Sequence, residues 1–96
     1  MRYQLKTSSK LNKVKKKLPS DLRRAVDREV KRISEEPSLG ELKTGSLSGI
    51  RVHKFGCLGQ LYLLAYEVCP DENTIYIYAI GGHENFYRDL DRYLKS

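Results

Sequence analysis

Ninety-six residues suffice for one domain around a single core, which excludes a second domain and a large internal ligand chamber. A hydrophobic content of 40%, with seven Tyr and two Phe, supports a packed core and excludes a disordered chain despite 31% charged residues. The formal charge of +6 is uneven: residues 1–32 carry 12 Lys/Arg against 3 Asp/Glu (+9), and residues 33–96 carry 6 against 9 (−3). Such a basic end attracts polyanions, nucleic acid or ribosomal RNA among them, and equally an acidic protein; it also suits a solvated helix face, and charge alone does not choose among these.

In chain order, residues 2–6 alternate Tyr3 and Leu5 with polar neighbours and predict a short first strand. From Ser9 onward Leu11, Val14 and Leu18 recur at helical spacing among Lys10, Lys13, Lys15, Lys16 and Lys17, a narrow apolar stripe on a very basic helix capped by Ser8 or Ser9. Pro19 interrupts the pattern. Ser20 is placed to cap a second helix whose face is Leu22, Ala25, Val26, Val30 and Ile33, and Pro37 ends it.

Residues 37–49, rich in Gly and Ser, have no sustained period and read as a loop. Three strands are expected over residues 50–55, 60–69 and 74–80, the middle one apolar on both faces and hence central. The short turns GCLG and PDEN make them an antiparallel meander. Gly81 and Gly82 are expected to end the sheet, and residues 83–95 place Phe86, Leu90, Tyr93 and Leu94 on one face of a closing helix. The result is an α+β domain of order β-α-α-β-β-β-α over residues 1–96, two helices packed on one face of a mostly antiparallel sheet. Cys57 and Cys69 stand in no metal or redox motif and read as free thiols. The first 17 residues lack an apolar core region, and no run approaches the roughly 18 apolar residues of a membrane span, so a cytoplasmic protein is expected.

Element order together with LKTGSLSGIRVHKFG, LYLLAYEV and IYIYAIGGHENFYRDLDRYL resembles the RelE/ParE toxin superfamily over nearly the whole chain. GGHENFYRDL at residues 81–90 is similar to RelE-like members, whereas ParE-like gyrase inhibitors more often end in a His-Gly-Arg-Arg-Asp type of motif. The resemblance implies a RelE-like fold and a toxin that enters the ribosomal A site and cuts messenger RNA without metal or cofactor. It also implies an antitoxin wrapped around the toxin to hold it inactive.

Metal-free cleavage needs a base for the 2′-hydroxyl, cations for the in-line phosphorane and a proton donor for the departing 5′-oxygen. Alternation with Ile50 and Val52 is expected to point Arg51 and His53 away from the long helices, where they resemble the basic pair on the corresponding RelE strand. His83 and Tyr87, four residues apart, are expected to share one face of the last helix, with Glu84 and Arg88 as a second pair beside them. On this reading Arg51 and Arg88 hold phosphates, with Lys54 secondary because alternation turns it to the other face. His53 and His83 are the acid and base candidates, and Tyr87 exchanges a proton or stacks on a base. Lys13, Lys16 and Lys17 supply a further RNA-binding surface.

Each residue also has a plainer role: a structural or solvated histidine, a Tyr87 that closes the core with Phe86, a Glu84 that favours a helix N-terminus, an Arg88 that pairs with it. Leu63 stands where some RelE members have a cation. Two other functions fit the same sequence: a ParE-like, non-hydrolytic gyrase inhibitor, and a non-enzymatic basic module that binds RNA or the ribosome.

Overall fold

The computed structural model describes residues 3–83 and 86–95. Helix α1 (Ser9–Lys16) and helix α2 (Ser20–Glu35) follow strand β1 (Gln4–Thr7); strands β2 (Glu41–Leu42), β3 (Arg51–Cys57), β4 (Gln60–Cys69) and β5 (Thr74–Gly82) come next, and helix α3 (Phe86–Lys95) closes the chain. The sheet order is β1-β5-β4-β3-β2. Only the β1–β5 pair is parallel among the described residues. The α+β architecture and element order agree with the sequence, with β2 added inside the stretch read as loop. A strand of two residues is too short to show a period, which is why it was not legible.

Helices α1 and α2 bury Leu11, Leu22, Ala25, Val26 and Ile33 against Phe55, Leu64, Tyr66, Ile75, Ile77 and Ile80 on one sheet face. Helix α3 lies across the other face, where Phe86 and Leu90 pack on Ile50, Val52, Leu63 and Ala65. Each of those two α3 side chains contributes about 1.5–3 kcal/mol by leaving water, enough to hold a short helix that would not persist alone. Ser8 caps α1: its hydroxyl accepts from the Leu11 N–H at 3.0 Å and donates to the Tyr78 carbonyl at 2.7 Å. Ser20, expected as a cap, is instead the first residue of α2, with Pro19 in the cap position and no side-chain cap bond.

Tyr78 is an extra residue in β5. Tyr66 pairs with Ile77 and Ala65 with Ala79, so the ladder skips Tyr78 and the alternation changes phase there. Ile75, Ile77 and Ile80 consequently face α1 and α2, while Tyr78 and Ala79 join the α3 side. Gly81 and Gly82 were expected to end the sheet because of glycine's weak strand preference; β5 instead runs through both. Gly81 leaves room for Phe86 there, since a Cβ at this position would stand 3.1 Å from Phe86 Cδ1, a few tenths of an ångström inside ordinary contact.

The β3–β4 hairpin turns on Leu58 and Gly59, with φ of 53° and 76°. Two-residue turns of this hand favour Asn-Gly, and a leucine held at positive φ is strained by about 1 kcal/mol. Leu58 is also 69% exposed, so its side chain recovers little by burial. Leu58→Asn should therefore raise stability by about 1 kcal/mol in urea denaturation; an unchanged or lower midpoint would show that Leu58 makes an offsetting contact.

Candidate functional site

The strand that was expected to present Arg51 and His53 away from the long helices presents them towards those helices. His53 is 7% exposed and its Nε2–H donates to Glu29 Oε1 of α2 at 2.8 Å. Glu29 also receives Arg32 Nη1 at 2.8 Å and Arg28 Nε at 3.1 Å. Burial pushes the Glu29 carboxyl up, but the bonds from His53 and Arg28 and the charge of Arg32 outweigh it and hold it below its ordinary range. Arg51 is engaged as well, donating from Nη1 to the Gly40 carbonyl at 2.7 Å. Beside it the Tyr66 hydroxyl accepts from the Gly40 N–H at 2.8 Å and donates to the Pro37 carbonyl at 2.7 Å.

The reason for the reversal is a second core. Ile50 and Val52 are buried by α3, not by the long helices, so the opposite parity, Arg51, His53 and Phe55, falls on the α1/α2 side. Phe55 was the residue that could have given this away, since an aromatic at that parity needs a core to enter. Lys54 gains from the same reversal: it shares the α3 side with Val52 and is exposed there.

On the α3 side a cluster forms that includes two residues the sequence pattern does not single out. Glu41 pairs with Val52 across β2 and β3, and the Lys43 N–H donates to the Ile50 carbonyl at 2.9 Å, so Glu41 and Lys43 project together. Lys43 Nζ lies 2.6 Å from Glu41 Oε1 and 5.1 Å from the Tyr87 ring centroid. Its side chain is only 21% exposed. The Glu41 hydrogen bond raises the Lys43 pKa, partial burial opposes this, and the bond to Tyr87 adds to the rise, so Lys43 stays charged. The Lys43 hydrogen bond and charge, with a further contribution from Lys54, hold the Glu41 carboxyl below its usual range. Tyr87 stands edge-on to Phe86, ring centroids 5.6 Å apart at 85°, which fixes the ring from behind.

His83 is not on the closing helix. It follows β5 directly, exposed, with its N–H donating to the Leu61 carbonyl at 3.2 Å, and α3 starts at Phe86. The helical four-residue spacing to Tyr87 therefore does not apply, and the Glu84–Arg88 pair falls outside the described residues. Arg88 is exposed, its Nε 4.0 Å from Asp89 Oδ1. Leu63, at the position where some relatives are basic, is fully buried under α3, between Lys54 and Gly81 in the ladder. Lys13, Lys16 and Lys17 are exposed on the α1/α2 side, across the sheet from Tyr87.

The whole-chain architecture is that of known toxins. The chain is similar to a free-state E. coli RelE toxin mutant at 20% identity and TM-score 0.78, with 99% of this chain and 98% of that one covered. It is similar to the toxin–antitoxin complex RelBE2 of Mycobacterium tuberculosis at 21% identity and TM-score 0.77, covering 86% and 100%. For the intact E. coli RelBE complex the values are 22%, 0.71, 85% and 98%. Comparison with curated protein sequences gives no significant match. Residues 5–91 match the family model described as the ParE-like toxin of type II bacterial toxin–antitoxin systems, and the chain therefore belongs to that family, within the RelE/ParE superfamily.

Proposed function

We propose that this toxin is a metal-independent endoribonuclease that cuts messenger RNA on the ribosome and so inhibits translation, in the manner of RelE-like proteins. The observation that carries the reading is the Tyr87 phenol on the α3 side of the sheet with the Lys43 ammonium 5.1 Å from its ring centroid. In the reaction the substrate's O2′–P bond forms and its P–O5′ bond breaks, while one proton leaves the 2′-hydroxyl and one reaches the 5′-oxygen. Tyr87 serves one of these transfers, and His83, exposed at the end of β5, is the candidate for the other. Lys54 and Lys43 neutralise the phosphorane, Lys43 standing in for the cation that Leu63 lacks, and Arg88 holds a neighbouring phosphate. Lys13, Lys16 and Lys17 grip ribosomal RNA from the opposite side. Arg51 and His53, engaged by Gly40 and Glu29, act as struts of the fold.

The setting is the cytoplasm, with a cognate antitoxin as partner, as in the toxin–antitoxin complexes of the same fold. A second reading, a non-hydrolytic gyrase inhibitor, draws on the ParE-like description of the family. Expression without antitoxin should arrest growth in either case. Mapping of transcript ends in arrested cells separates them: new ends confined to translated regions support the nuclease, whereas intact transcripts with inhibited supercoiling would replace it by the gyrase reading.

A further inference from the structure

Glu41 is a carboxylate with no evident duty in the fold. Its side chain is 69% exposed, β2 would pair through its backbone without it, and yet it binds Lys43 Nζ at 2.6 Å. The charge of Lys54 reaches the same carboxylate. Lys43 in contact, and Lys54 on the same sheet face two residues along β3 from Glu41's partner Val52, thus stand about an anion that the chain itself supplies. A carboxylate and a phosphodiester present the same feature to an ammonium group, a delocalised negative charge on paired oxygens.

We propose that Glu41 occupies the seat of an RNA phosphodiester, between Lys43 and Lys54 and next to Tyr87, and that a single-stranded RNA must displace it to bind. The site rests on the nuclease reading for its substrate and adds to it a built-in competitor. A lysine already neutralised by Glu41 gains less from a phosphate than a bare lysine does. Exchanging one anion for another also releases fewer ions to the solvent, which flattens the dependence of binding on salt. Glu41 sets how much affinity the site shows before the ribosome contributes its own contacts.

The test is a double-mutant cycle on the full chain, using fluorescence anisotropy with a short single-stranded RNA over a series of salt concentrations. Glu41→Gln should bind about three- to five-fold more tightly at low salt, with a log–log salt slope steeper by about 0.7. Lys43→Gln should remove that gain in the doubly substituted chain. Equal or weaker binding by Glu41→Gln, or a gain that persists without Lys43, overturns the proposal. Glu41→Gln alone is decisive if the double variant fails to fold, since it leaves the Lys43–Tyr87 contact in place, and circular dichroism verifies its fold. Cleavage of messenger RNA on ribosomes, assayed with the same preparations, separates the two ideas. Cleavage by the native chain with an unchanged Glu41→Gln affinity sinks only the competitor, and a positive cycle without cleavage sinks only the nuclease.

Discussion

Tyr87→Phe should reduce messenger RNA cleavage on programmed ribosomes by about 100-fold or more, the scale of losing a positioned proton-transfer group. The substitution removes one hydroxyl and keeps the ring, so the edge-on contact with Phe86 and the cation–π contact with Lys43 survive. A fall in single-turnover rate with an unaltered thermal midpoint would assign the loss to chemistry. Retention of the rate within about three-fold, less than general acid–base catalysis delivers, would leave Tyr87 as a residue that closes the core over Phe86. The same variant should relieve growth arrest in proportion to its residual rate.

The largest effect on stability is expected at Glu29, which has no part in the chemistry. Only 3% exposed, it is bound by His53, Arg28 and Arg32. Glu29→Ala leaves the buried His53 Nε2–H without its acceptor and should cost about 2–3 kcal/mol, the scale of an unsatisfied buried hydrogen-bonding group. The folded carboxyl titrates below 4.5, its unfolded value. Its stabilisation is therefore fully present above that value and is lost as pH falls through the lower, folded one. Unfolding followed by circular dichroism should show the native chain losing stability across that acid window, and Glu29→Gln should flatten the loss. Equal acid slopes in the two chains would mean that other carboxylates govern the transition.

Much of the architecture was legible because α1 and α2 carry their apolar stripes at unbroken helical spacing, and because β4 is apolar on both faces. Glu29 shows the limit of that reading. It sits within the stripe of Leu22, Ala25, Val26 and Ile33, at the spacing of a core residue, and its polarity disguised its burial. The site was partly legible. Tyr87, His83, Lys54 and Arg88 were named from the sequence; Tyr87 and Lys54 stand on the α3 side, Lys54 against the expected parity, and His83 and Arg88 are exposed. The orientation of β3 was not legible, since its parity depends on which helix buries Ile50 and Val52, and two cores compete for one strand. Nor were Glu41 and Lys43, whose alignment comes from pairing with β3 and from no local pattern.

The inserted Tyr78 acts as a phase setter for the end of the chain. Were it taken into a regular ladder with no residue skipped, the parity of every later residue of β5 would invert and Gly81 would roll over to the layer beneath α1 and α2, leaving Phe86 without its recess. The terminal segment would then lose its berth, and the phenol it carries would part from the lysine that follows β2, some forty residues earlier in the chain, about half the polypeptide's length away. One residue left out of the pairing thus governs whether two distant stretches of sequence ever meet.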